Sequence, residues 1–172
     1  NYNEWFTKLF FDTDVTFTDQ TAISKGGYDY RSGRIFYKTD VRKRFNASAS
    51  VEYGSYFSGE KLTSQTILNY RAQPWGIFAI QYDQNEIWLP NGRRASLHLV
   101  GPKFEFSFTR SVFLTTFFQY NTQQNNFNIN ARFQWRFKPM SDLYLVYTDN
   151  YDQNLSVKNR AVVLKLIWWI TL

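Results

Sequence analysis

The sequence predicts an all-β fold, an antiparallel transmembrane β-barrel with about ten strands in this chain. Three observations point there. First, apolar and polar residues alternate strictly: in 127–138, Phe127, Ile129, Ala131, Phe133, Trp135 and Phe137 interleave with Asn128, Asn130, Arg132, Gln134, Arg136 and Lys138. Second, aromatic residues make up 20% of the 172 residues, yet mean hydropathy is −0.46. A barrel whose lumen-facing and lipid-facing residues cancel in any window average has this composition. Third, several periodic segments are long, against a usual strand length of about 5–6 residues, and short connections alternate with longer polar ones.

Taken in order, the periodic segments are 8–18, 29–39, 43–57, 61–72, 76–89, 94–108, 111–122, 126–138, 142–149 and 159–172. In 43–57, Phe45, Ala47, Ala49, Val51 and Tyr53 alternate with Asn46, Ser48, Ser50, Glu52 and Gly54. In 61–72, Leu62, Leu68 and Tyr70 share a face with Ser64 and Thr66. In 111–122, Val112, Leu114, Thr116, Phe118 and Tyr120 share one. In 159–172, Val162, Leu164, Leu166, Trp168, Ile170 and Leu172 do so, opposite Val163, Lys165, Ile167, Trp169 and Thr171. Segment 94–108 is less regular. Phe104, Phe106 and Phe108 alternate, but Leu97 and Leu99 have the other parity, so a bulge at Gly101-Pro102 is expected to switch the phase.

The short connections are 39–43, 72–76, 109–111 and 138–142. The long ones are 18–29, 84–94, 121–126 and 149–159, with 58–60 short in a long slot. Bacterial outer-membrane barrels have short periplasmic turns and longer extracellular loops. That order places both termini of this chain in the periplasm. The chain begins at Asn1 without an export signal, as a mature form or a fragment would, and the start in mid-pattern favours a fragment.

Other classes are excluded or disfavoured. No apolar run approaches the 18 residues of a transmembrane helix. Cysteine is absent and His98 is the single histidine, so no metal or other cofactor is expected. The net charge of +6 is scattered, which argues against a nucleic-acid partner. A soluble sandwich or lipocalin-like barrel also alternates, but its core is not expected to be so rich in large aromatics. The terminal 166–172 stretch is similar to the closing strand by which bacterial barrels are recognised for insertion.

From about Gly27 onward the chain resembles the C-terminal outer-membrane barrel of a Bacteroidota family of unknown function, whose members often carry an N-terminal carbohydrate-binding-like domain. The resemblance rests on 26–30 (GGYDY), 53–61 (YGSYFSGEK), 68–75 (LNYRAQPW), 87–92 (IWLPNG), 115–122 (TTFFQYNT), 159–165 (NRAVVLK) and most specifically 128–149 (NINARFQWRFKPMSDLYLVYTD). It implies an outer-membrane location and further strands N-terminal to this chain. It brings no activity and no catalytic residues.

Charge turned to lipid costs about 2–4 kcal/mol per Lys or Arg at the midplane. Arg71, Lys103, Glu105, Arg132, Gln134, Arg136 and Lys165 are therefore expected to face the lumen. Tyr53, Tyr70, Phe106, Phe108, Phe118, Tyr120, Phe133, Trp135, Phe137, Tyr147 and Trp168 are expected on lipid or at its interfaces. The expected partners are outer-membrane lipid and other envelope proteins, and the expected role is a pore, an anchor for another domain, or a subunit of a membrane complex. The competing class is an enzyme with a loop-borne hydrolase site, for which Asp83, Glu86 and His98 would have to converge.

Overall fold

The computed structural model describes residues 1–14, 22–123 and 125–170. Ten strands form one antiparallel sheet: β1 (Tyr2–Leu9), β4 (Gly26–Lys38), β5 (Phe45–Tyr56), β6 (Gly59–Ala72), β7 (Gly76–Trp88), β8 (Arg94–Ser107), β9 (Val112–Asn121), β10 (Asn126–Lys138), β11 (Ser141–Tyr151) and β12 (Val157–Ile167). They are hydrogen-bonded in sequence order, so every connection is a hairpin once the small ribbon β2 (Thr13–Asp14) and β3 (Ala22–Ile23) is set aside. The sheet is not closed, and β1 and β12 are its edges. Among the described residues no helix is long and apolar enough to cross a membrane, which leaves crossing by strands untouched.

Nine of the expected strands lie where the alternation puts them. The first does not. Residues 8–18 alternate well on paper, but the chain bends at Phe10 and Phe11, and Tyr2–Leu9 is the strand that pairs with β4. The partner decides this register. Trp5 stacks on Tyr30 with centroids 5.1 Å apart and planes 4° from parallel. Gly27, without a side chain, leaves room for the Phe6 ring, which a β-carbon there would meet at 2.9 Å. The expected residues 15–18 lie outside the described residues, as do Thr171 and Leu172 of the last strand.

Two other expectations change. The expected bulge at Gly101-Pro102 is absent: β8 pairs with β7 in one unbroken register through Gln81↔Gly101 and Ile80↔Pro102. Leu97 and Leu99 therefore stay on the face of Lys103 and Glu105. The loops are also shorter than their polarity suggests. Residues 84–88 continue β7, and 149–151 continue β11, leaving 89–93 and 152–156 as connections. Polar side chains do not end a strand while the backbone keeps its hydrogen-bonded partner. The contrast in loop length is accordingly weak: 57–58 at one end is shorter than 39–44 at the other.

Alternate residues give the sheet two unlike faces. One is concave. Side chains of β4 to β9 with this parity, from Arg34 and Glu52 through Asp83 to Asn121, surround a cavity of about 360 Å³. Lys38, Asn46, Asn69, Arg71, Lys103 and Glu105 border a second of about 400 Å³. The other face is convex, apolar and largely exposed: Ile35 is 79% accessible and Leu164 68%. The one buried apolar cluster among the described residues is small. Ile23, Ile87, Leu89 and Ala95 pack with Leu9, Tyr28, Tyr56, Phe57 and Leu97 at the loop end of the concave face.

At Gly54 the β4 and β5 backbones approach closely. A β-carbon there would collide with the Arg31 carbonyl oxygen and lie 2.6 Å from Ser32 Cα, whereas one at Gly33 would meet nothing within 4 Å. Gly54→Ala should destabilise the folded state by about 1–3 kcal/mol, and Gly33→Ala should be nearly neutral. Urea titrations of the two variants in micelles check the contrast.

Candidate functional site

The residues expected in the lumen all fall on the concave face. Arg71, Glu105 and Arg132 share one hydrogen-bonded row, running Arg71↔Ile77↔Glu105↔Thr115↔Arg132. Lys103 pairs with Glu105 at 2.5 Å. Gln134 donates to Asp142 (2.8 Å) and to the Tyr144 hydroxyl (3.1 Å), and Arg136 Nε reaches the same Asp142 carboxylate at 3.3 Å. Lys165 lies opposite Tyr144. The concave face is graded along the strands. Its loop end is aromatic and apolar, with Trp5, Tyr30, Tyr56 and Ile87. Amides and hydroxyls follow, Gln65, Asn85, Asn121 and Asn128 among them. Most of its cations lie from mid-strand to the short-turn end.

The residues expected on lipid fall on the convex face, and they form a band with defined borders. At the upper border, towards the loops, three tyrosines point their hydroxyls to polar groups. Tyr53 donates to Glu60 Oε2 (2.5 Å), Tyr147 donates to Asp149 Oδ2 (2.6 Å), and the Tyr82 hydroxyl bonds His98 Nδ1 (2.8 Å). Tyr120 is in register with Phe127 on this face. In the middle, Phe106 packs edge-on to Phe78 at 5.4 Å and Phe118 edge-on to Phe104 at 6.1 Å, while Phe133 lies opposite Leu114 and Leu145. At the lower border Phe108 stacks on Phe106, and Phe137 bridges Trp135 (5.8 Å) and Trp168 (5.4 Å). Cations cover two of these lower rings: Arg44 lies over Tyr70 at 5.9 Å and Lys138 over Trp168 at 5.2 Å. Rings with an apolar body and a polar tip suit a boundary between oil and water.

The band crosses the hydrogen-bonded rows obliquely, and the register measures by how much. One row runs Phe45↔Tyr70↔Phe78↔Phe104↔Thr116↔Ala131↔Tyr147↔Val162. In β5, Phe45 is the lowest band residue, with Lys43 below it. In β12, Val162 is the highest, with Arg160 above it. The row therefore traverses the whole band, which in β5 spans Phe45 to Tyr53, over seven strand-to-strand steps. Eight residues at about 3.3 Å against seven steps at about 4.8 Å give an inclination of about 38°.

Two polar clusters lie just above the band, and sequence reading had singled out only part of one. In the first, Glu86 and His98 do meet, through Ser96, while Asp83 turns to the concave face. Ser96 donates to Glu86 Oε1 (2.5 Å), Gln84 donates to the same oxygen (2.8 Å), and His98 Nε2 lies 2.8 Å from Ser96 Oγ. The Ser96 hydroxyl, and then the Gln84 amide, hold the Glu86 carboxyl below its usual range. With the Ser96 hydroxyl donating to Glu86, Ser96 Oγ is left to accept from His98 Nε2, and Nδ1 of the neutral ring then accepts from Tyr82. That polarity is opposite to a serine activated by a histidine base, and the carboxylate sits on the serine rather than on the far ring nitrogen. In the second cluster, Asp149 is fully buried and Arg160 grips its Oδ2 through Nε (2.9 Å) and Nη2 (2.7 Å), with Tyr147 on the same oxygen. No group of three His, Cys, Asp or Glu able to hold a metal occurs among the described residues.

Compared with known families and with curated proteins, the chain matches no family model and no curated sequence.

Arg160→Met strands the buried Asp149 charge and should cost about 1–3 kcal/mol. Adding Asp149→Asn should recover part of the loss, as read from urea midpoints of the two variants. Acidification should act similarly on the first cluster. The Glu86 pKa is lower folded than unfolded, so its contribution is complete above the unfolded carboxylate range and fades as pH falls through the folded value. Amide exchange in 84–98 should quicken at acid pH in the parent and show less pH dependence in Glu86→Gln.

Proposed function

We propose that this chain is the membrane-spanning wall of a bacterial outer-membrane β-barrel, and that it anchors an attached domain or partner rather than serving as an open conduit. The oblique band carries the reading. Strands of outer-membrane barrels tilt about 35–45° and display an apolar belt about 25 Å tall between aromatic girdles. A horizontal belt must then cross the hydrogen-bonded rows at the tilt angle, and here it does so at about 38°. A soluble core supplies no reason for a band of constant height that slides steadily against the register. The exposure of Ile35, Leu145 and Leu164 is explained by the same reading, since lipid would cover them.

Anchoring is favoured over conduction by the Ile87 and Leu89 cluster, which fills the loop end of the concave face between β1 and β8. Ten strands also enclose little more than their own side chains, and aqueous channels need about 16–18. Open strand edges do not persist in hydrocarbon. In the membrane, the outer edge of β4 beyond Arg34 and that of β12 must therefore both be paired, within this barrel or by further strands. The resemblance of 128–149 to a Bacteroidota outer-membrane family belongs to the same proposal.

Folded chain in detergent should migrate differently on gels before and after heating, and should give no steady conductance in planar bilayers. A chain that is monomeric and soluble without detergent would remove the membrane reading, and steady conductance would replace the anchor with a pore. Phe106→Arg or Leu145→Arg, mid-band on the convex face, should weaken folding into vesicles by about 2–4 kcal/mol. Thr115→Arg on the concave face should cost much less.

A further inference from the structure

The inclination of the band has a consequence for the concave face, and the inference rests on the barrel reading above. Along the hydrogen-bonded rows the concave cations look scattered. Lys103 is level with Asn130, through Phe117, and Arg132 lies two residues further down β10. Arg132 is level with Val163, through Val146, and Lys165 lies two residues further down β12. Each pair of strands thus brings a drop of two residues. The band itself drops by eight residues over seven strand-to-strand steps, which is nearly the same slope. Corrected for tilt, Lys103, Arg132 and Lys165 lie at one depth, near the middle of the band, on alternate strands β8, β10 and β12.

We propose that these three side chains form a cationic arc at mid-depth that binds a multivalent oxyanion. Only Lys103 of the three has a carboxylate partner among the described residues, Glu105. Arg132 and Lys165 form no ion pair there. Closer to the loops the charge cancels, with Arg34 and Lys61 against Glu52 and Asp83. Arg71 and Arg136 flank the approach from the short-turn end. Like charges facing one narrow, low-dielectric space repel, and a bound anion relieves that repulsion. Rings of Arg and Lys serve the same chemistry in anion- and phosphate-selective pores. The apolar cluster blocks the loop end between β1 and β8, so the anion enters from the short-turn end.

The test is isothermal titration of the full chain, folded in detergent, with inorganic pyrophosphate at low salt. Saturable binding should weaken at least tenfold in Arg132→Gln and in Lys165→Gln, and change less than twofold in Arg34→Gln. Pyrophosphate should raise the urea midpoint of the parent, whereas Arg132→Gln should raise it without any anion, because a repulsion is gone. Absence of saturable binding to heat-modifiable parent protein overturns the proposal. Equal affinity in the parent and both arc variants overturns it as well. The barrel reading fails separately, by solubility without detergent, and that result is independent of the titration.

Discussion

Backbone hydrogen bonding is the constraint on which everything else here depends. Ten strands satisfy one another's N–H and C=O groups across nine ladders, and a ladder holds side chains to a period of two. Each strand must then show two surfaces. One carries Phe, Tyr, Trp, Leu and Val, the other amides, hydroxyls and charges. With so few buried apolar residues among those described, no ordinary core is seen to hold the sheet together. Its stability in the proposed setting comes from the ladders and from the environment on each side. Lipid would receive one face, and a narrow polar interior the other. The unpaired edges of β1 and β12 follow from the same constraint, since a sheet with two unlike faces hides its edges only by joining them or by recruiting other strands.

In the proposed membrane setting, strand tilt converts that local rule into a global geometry. A level belt on inclined strands moves along the register by a little over one residue per strand. That single slope lines up residues far apart in sequence: Tyr53 of β5 and Tyr147 of β11 at one border, Phe108 of β8 and Trp168 beyond β12 at the other. Above the upper border, polar groups gather where side chains can leave the apolar layer. Tyr53, Tyr82 and Tyr147 mark the boundary by reaching for Glu60, His98 and Asp149. Asp149 is buried there only because Arg160 and Tyr147 share the cost of its desolvation. The concave face changes from aromatic to amide to cationic along the strands, so its two ends differ in chemistry.

Where the text of the chain was misleading, a partner was missing from view. Residues 8–18 alternate as cleanly as many real strands, yet Trp5 and Phe6 find Tyr30 and Gly27, and the strand starts six residues earlier, at Tyr2. Gly101-Pro102 looked like a phase switch because Leu97 and Leu99 break the pattern. In the fold Leu97 packs on the apolar loop-end cluster, and Leu99 lies on the concave face between Asp83 and Asn121. Polarity suggested long loops at 84–94 and 149–159, but Gln84, Glu86 and Asp149 remain in register with partner strands. The meeting of Glu86 and His98 was anticipated, while Ser96 as the link between them was not, because nothing in its local sequence marks it.

The sequence by itself determined the alternation, the number of strands in the sheet and, within each regular strand, which residues share a face. Those properties follow from a period of two that any reader of the chain can count. Only the tertiary structure decided the register between strands, and with it the slope of the apolar band, the depth at which Lys103, Arg132 and Lys165 lie, and the cluster that fills one end of the concave face. Register is a relation between strands. It is set by ring stacking, by glycines that admit a neighbour and by turn geometry, and none of these can be read from one strand at a time.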